Sequence, residues 1–416
     1  MNILYFDSWA QGAKYYKELD VELCRRGCKT KLMHIESLIS NSLPEQAKQV
    51  LKYTKTCFEH NIECEDATWE GDDYLEKILL ERPDAIVMLS ISRIENRLVT
   101  RLCHRHAIPI YYMQHGSLLV DRNSIESDIT RIARINRFEI SKKIKKLSCI
   151  LRVTKIYAAY FGVAETFDIL IQVLKNPYKF VWDPKSHLSL IPNRAFAYTD
   201  GEKRALSDFF KIPENKIQTV GNPRLYGLAI YNPDNDLGKL KKTLKIDKNY
   251  AVYLDQAFLE IGWVSYEDQL EMISQVAKML DSRDIVLVVK LHPRSNIELH
   301  DYDMKVKNCR IVKDELVLHD LLHYSSMVIG HSSTALTEAI AMNVPVVTLN
   351  NYRDARKTDL FNRALSTNLD EKFSSEIGNI KVSDEQLKLR SEIIGHMDFS
   401  PVGKIADRII LDIQNE

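Results

Sequence analysis

Two short stretches in the second half of the chain carry residue types suited to gripping an anion. One is Val288-Val289-Lys290-Leu291-His292-Pro293-Arg294; the other runs Ile329-Gly330-His331-Ser332-Ser333-Thr334-Ala335-Leu336-Thr337-Glu338-Ala339-Ile340. Each reads as a buried strand entering a polar loop, and the second continues into a helix. Ligands bind at the carboxyl ends of strands in open α/β sheets. Helix starts there also offer free N–H groups and a favourable dipole to negative charge. Pro293 biases His292 toward extended backbone and so fixes where its imidazole is aimed. Lys290 and Arg294 add positive charge. Ser332 reads as the helix N-cap, Gly330 allows close approach of the backbone, and Ser333 and Thr334 supply further donors. Glu338 lies in reach of a ribose hydroxyl. A phosphate or diphosphate site is the leading expectation, carried by the pair of loops more than by either one.

A second set of candidates lies in the first half. His115, in Gln114-His115-Gly116-Ser117, ends a predicted buried strand, and an imidazole titrating near 6.5 suits a general base. Asp7, at the end of the first strand, is the reserve base or a binder of a second substrate.

These residues need a scaffold of alternating strands and helices, and the pattern supplies one. Strands are predicted at 2–7, 30–34, 85–90, 109–113, 195–198 and 216–220, with helices before Gly27, around 44–60, and over 71–82, 95–106 and 201–210. The polar stretch 228–248, with Pro233, Asn235 and Gly238, reads as a linker or loose helix. A second series then gives strands at 250–255, 285–290, 309–312, 327–330 and 345–348, with helices over 265–281, 315–324 and 333–342. Such alternation implies mainly parallel sheets covered on both faces. The expectation is an α/β chain of two facing Rossmann-like domains with an interdomain cleft. Domain one covers 1–225 with an irregular insertion at about 120–192, and domain two covers 226–400. A helix over 401–416 is expected to cross back to the first domain.

The totals agree with that size. A chain of 416 residues, 45% hydrophobic and 27% charged, has material for two cores. A formal charge of zero gives no chain-wide case for nucleic acid. Seven scattered cysteines read as reduced thiols rather than a disulfide framework. No signal-peptide pattern opens the chain and no apolar run reaches spanning length, so a cytoplasmic protein is expected. One segment stands apart: residues 131–155 hold nine Lys or Arg against Glu139, a net charge of +8, with Ile132, Ile135, Ile140, Ile144, Leu147 and Leu151 among them. A basic helix with an apolar stripe suits the surface of an anionic membrane, with peripheral binding there as the expectation.

The KLHPR stretch, followed by GHSSTALTEAI and NVPVV, resembles the C-terminal half of bacterial GT-B glycosyltransferases of surface polysaccharide synthesis. The likeness is to polysialyltransferases and lipooligosaccharide sialyltransferases, with a similar layout in teichoic acid glycerophosphotransferases. It covers about 250–350 best. The resemblance implies that His292, Ser332 and Ser333 hold the phosphate of a nucleotide-sugar donor. It also implies that Asp255 and Gln256 meet the nucleotide or leaving group, and that His115-Gly116 corresponds to a proposed base. It implies an inverting transfer to a glycan or lipid-linked acceptor in capsule or lipopolysaccharide assembly, with His292 assisting departure. No metal or cofactor is expected, since no Asp-x-Asp pair ends a strand. The acidic pair before glycine that polysialyltransferases use has no clear counterpart here. Three other readings stand beside this one: transfer of a CDP-glycerol-type polyol phosphate, a nucleotide-sugar 2-epimerase, and a non-catalytic scaffold. Epimerisation calls for several carboxylates and arginines, a density the sequence does not display.

Overall fold

The computed structural model describes residues 1–7, 12–34, 55, 57, 59–66, 73–91, 94–115, 151, 154–175, 191–233, 235–260, 262–293, 295–296, 301–313, 316–331, 333–349, 365–367, 380–395 and 399–415. The chain divides into two compact units: Met1–Gly221 with Asp398–Glu416, and Asn222–Met397.

The first unit opens on β1 (Asn2–Asp7), α1 (Ala13–Arg25) and β2 (Lys29–His34). It continues through β3 (Cys64–Asp66), α2 (Asp73–Glu81), β4 (Ala85–Met88), α3 (Ile94–Arg105), β5 (Ile110–Met113), α4 (Val163–Lys175), β6 (Arg194–Ala197), α5 (Asp200–Phe210) and β7 (Ile217–Thr219). The strands form one parallel sheet in the order β3-β2-β1-β4-β5-β6-β7. Alternate residues of one strand enter different cores. Leu4, Phe6, Ile86 and Met88 pack on one face; Ile3, Tyr5, Ala85 and Val87 pack on the other. Apolar side chains at both parities are what a sheet covered on both sides requires. Gly27, at φ +82°, ends α1 in the left-handed turn that lets the Cys28 N–H reach the Leu23 carbonyl at 3.0 Å.

The second unit starts with two short helices, α6 (Pro223–Ala229) and α7 (Leu237–Leu244). There follow β8 (Asn249–Leu254), α8 (Tyr266–Asp281), β9 (Ile285–Lys290), α9 (Tyr302–Lys305), β10 (Cys309–Val312), α10 (Leu318–His323), β11 (Val328–Gly330), α11 (Thr334–Ala341), β12 (Val346–Leu349), β13 (Leu365–Thr367) and α12 (Asp384–Ile394). Its sheet is parallel as well, ordered β10-β9-β8-β11-β12-β13. The stretch 228–248 is therefore no simple linker. Asp236 accepts the Lys239 N–H at 2.7 Å as a true N-cap, and Leu240 and Leu244 bury one face of α7 in the core of this unit.

The last helix, α13 (Pro401–Asn415), packs in the first unit beside α1. Ile405, Ala406 and Ile409 are fully buried there. Arg26 donates to Asp407 at 2.7 Å and Arg194 to Asp412 at 2.8 Å. No described helix is long and apolar enough to cross a membrane. The basic run 131–150, with 152 and 153, lies outside the described residues, as does most of the helix expected around 44–60.

Candidate functional site

Each sheet reverses its winding once. In the second unit the reversal lies at β8, which pairs with β9 on one side and β11 on the other. A doubly wound sheet opens a crevice at such a point, at the carboxyl ends of its strands. The His292 loop follows β9 and the serine loop follows β11. Two strand spacings, roughly 10 Å, therefore separate them on one edge of one sheet.

The loop after β8 ties these parts together through Asp255. Its carboxylate is 4% exposed. One oxygen accepts from the His292 N–H at 3.3 Å, the Ser295 hydroxyl at 2.6 Å and the Ala257 N–H at 3.2 Å; the other accepts from Gln269 Nε2 at 3.1 Å. With this many donors, Asp255 builds the His-Pro turn. Gln256 follows it, half-buried. Ser295 N–H closes the turn onto the His292 carbonyl at 2.9 Å, and Glu260 accepts the Asn296 N–H at 2.9 Å. The Lys290 ammonium donates to the Lys313 and Leu291 carbonyls at the ends of β9 and β10. Arg294 lies outside the described residues.

After β11 the cap of α11 is Ser333, whose hydroxyl accepts the Ala335 N–H at 3.3 Å. The sequence assigned that cap to Ser332, which lies outside the described residues. Thr334 opens the helix. A Cβ on Gly330 would come within 3.3 Å of Leu336, so glycine lets strand and helix pack closely. His331 is buried, and its Nδ1 faces the Leu349 carbonyl at 3.0 Å. Because a carbonyl only accepts, that nitrogen carries the hydrogen. Burial lowers the imidazole from about 6.5 to about 4, so the ring is neutral at physiological pH. Glu338, 6% exposed, accepts from Arg224 at 2.5 Å with one oxygen and faces His319 Nε2 at 3.0 Å with the other. Arg224 stands in the first turn of α6, which Asn222 caps.

In the first unit, β1 pairs with β2 and β4, so the winding reverses there. Asp7 ends β1, 2% exposed and in register with His34. The Tyr16 phenol is pushed well up, by burial first and by the Asp7 charge second. His115 follows β5, its Nδ1 2.7 Å from the Leu89 carbonyl and its ring edge-on to Tyr15 at 5.8 Å. The same acceptor logic puts a hydrogen on Nδ1. Glu95, Asn96 and Arg97, at the start of α3, are 0%, 0% and 2% exposed. Sequence reading passed over them as an ordinary helix start. The usable signal was a carboxylate and a guanidinium two residues apart in the first turn of the helix that follows β4. Among the described residues no cluster of His, Cys, Asp or Glu is arranged to hold a metal ion.

With this geometry in place, comparison with known proteins is informative. A family model described as UDP-N-acetylglucosamine 2-epimerase matches residues 187–372, somewhat under half of the chain, and runs through both loops. No curated protein matches by sequence. Among solved structures, UDP-GlcNAc 2-epimerase from Neisseria meningitidis, bound to UDP-GlcNAc, is similar at 14% identity, covering 100% of both chains with a TM-score of 0.56. UDP-GlcNAc 2-epimerase from Methanocaldococcus jannaschii is similar at 14% identity and a TM-score of 0.53, also over 100% of both chains. A glycosyltransferase from Rickettsia africae is similar at 12% identity, covering 99% of this chain and 98% of the other, with a TM-score of 0.53.

The fold is of GT-B type. At these identities the structural likeness carries that and no more. The family match corrects the sequence reading in two respects. The likeness is to UDP-N-acetylglucosamine 2-epimerases rather than to polysialyltransferases or glycerophosphotransferases. Transfer of a sugar to a glycan or lipid-linked acceptor in capsule or lipopolysaccharide assembly is overturned with it. The reason is physical: a strand-end imidazole and a serine-capped helix suit a nucleotide's phosphate whatever happens to the sugar. Those motifs therefore could not separate transfer from epimerisation.

Proposed function

We propose that this protein inverts the configuration at C2 of a UDP-activated N-acetylhexosamine, the reaction of a UDP-N-acetylglucosamine 2-epimerase. The supporting observation is the family match across 187–372, which spans the His292 turn, the Ser333 helix start and Glu338. The ligand is a nucleotide sugar, and no acceptor is needed.

The chemistry gives each loop a task. C2 of such a sugar bears no adjacent carbonyl, so removing its proton alone leaves an unstabilised carbanion. Loss of the C2 proton together with the nucleotide at C1 gives an alkene instead. Return of the proton to the opposite face and of the nucleotide to C1 yields the epimer. The departing diphosphate meets the α11 N–H groups, the Ser332 and Ser333 hydroxyls and His292, where negative charge is favoured. Glu338 takes the ribose hydroxyls, in exchange with Arg224, whose side chain is 62% exposed. His115, with Asp7 in reserve, is assigned the proton transfer.

The test is incubation of the purified protein with UDP-GlcNAc and no other substrate, followed by proton NMR of the anomeric region. A second UDP-sugar with the C2-inverted configuration is expected at equilibrium. Unchanged UDP-GlcNAc, or consumption only after a glycan acceptor is added, would remove the proposal.

A further inference from the structure

We infer that His319 is a positioning residue that holds Glu338 ready for the ribose of the nucleotide, a role that rests on the nucleotide-sugar reading above. Glu338 stands one turn into α11, just beyond the helix start assigned to the diphosphate. Its side chain is 8% exposed, so the carboxylate needs donors to offset the burial of its charge. Two donors of different kinds reach it. Arg224 meets Oε1 at 2.5 Å from the first turn of α6, and 62% of its side chain is exposed. His319 meets Oε2 at 3.0 Å from the first turn of α10, with its side chain more than two-thirds covered.

The imidazole is held from behind. Its ring meets the Tyr231 ring edge-on at 5.7 Å. The Tyr231 hydroxyl donates to Asp320 Oδ1 at 2.6 Å, and Asn235 Nδ2 donates to Asp320 Oδ2 at 2.6 Å. Asp320 is 1% exposed and follows His319 in α10. The stretch between α6 and α7 is thereby braced against the helix that carries His319. Because a carboxylate only accepts, His319 Nε2 carries the hydrogen. The two donors therefore have different tasks. The guanidinium, on a long side chain facing solvent, gives up Oε1 to the ribose hydroxyls. The imidazole stays on Oε2 and keeps the carboxylate in one orientation. Without it, the buried charge loses its fixed partner at the moment the ribose needs it.

A carboxylate held to receive a hydroxyl rejects an analogue that lacks it, because the carboxylate is then left short of a donor. Calorimetric titration of the full-length protein, His319→Ala and His319→Gln with UDP and 2′-deoxy-UDP tests the inference. The unsubstituted protein should prefer UDP by about tenfold, the weight of one hydrogen bond to a charged group. In His319→Ala that preference should shrink to about threefold or less. His319→Gln, whose side-chain amide offers a donor in place of Nε2, should restore it. A loss of packing alone would weaken both ligands in step and leave their ratio unchanged. The inference fails if His319→Ala keeps the full preference, or if the glutamine variant loses it as completely as alanine. Equal binding of the two ligands by the unsubstituted protein would take the ribose away from Glu338, and this inference with it, while the epimerase reading stands. Absence of UDP binding would instead remove the nucleotide-sugar reading itself.

Discussion

Asp255 and His331 show how much of the site is built by residues that hold its loops. Removing the Asp255 carboxylate strands two N–H groups, a hydroxyl and an amide in a buried place. Each orphaned buried donor costs about 1–3 kcal/mol. Asp255→Ala is therefore expected to lower stability by at least ~3 kcal/mol in urea unfolding and to abolish UDP binding, since the His292 turn loses its anchor. His331 makes stability depend on pH. Folded, it titrates at about 4; unfolded, near 6.5. Between those values the unfolded chain binds a proton the folded chain does not. Its contribution is thus complete above pH 6.5 and is lost as pH falls through 4, amounting to about 3 kcal/mol at most. In His331→Phe, urea midpoints should fall less steeply between pH 6.5 and 4; an unchanged slope would show that His331 is not the titrating group. His115→Gln should bind UDP normally while turnover falls about 10²–10⁴-fold, the usual weight of a general base.

At the scale of elements, the sequence announced the buried parallel strands because continuous apolar runs such as Ile285–Lys290 have no other comfortable place. It missed β3, a three-residue Cys-Glu-Asp edge strand whose composition argues for a turn, and β13 and α12 beyond the last clear strand. It left 228–248 open between a linker and a loose helix because Pro233, Asn235 and Gly238 weighed against the four-residue spacing of Leu240 and Leu244, and the helix is what forms over Leu237–Leu244. The two anion loops were legible as chemistry, since strand-end His-Pro and a serine pair before a helix have specific physical consequences. The identity of the Asp255 partners was not, because they come from three different segments. The α13 helix gives a direct test of packing. Ile409→Ala, at a fully buried position, should cost about 2–5 kcal/mol by urea unfolding, whereas Leu411→Ala, 47% exposed, should cost under about 0.5 kcal/mol.

At the scale of the whole molecule, each unit is built on one doubly wound parallel sheet. In the proposed reaction the nucleotide's charge is met by backbone N–H groups, hydroxyls and imidazole, so turnover is expected to be unchanged by EDTA. A loss of activity restored by a divalent cation would contradict that. The central claim is that the C2 proton leaves and returns while the second unit retains the nucleotide. Turnover of UDP-GlcNAc in D₂O, followed by mass spectrometry and NMR of both UDP-sugars, measures it directly. One deuterium at C2 of the epimer, and of the substrate re-formed from it, is the result expected. An epimer carrying no deuterium, or no epimer at all, would contradict the account.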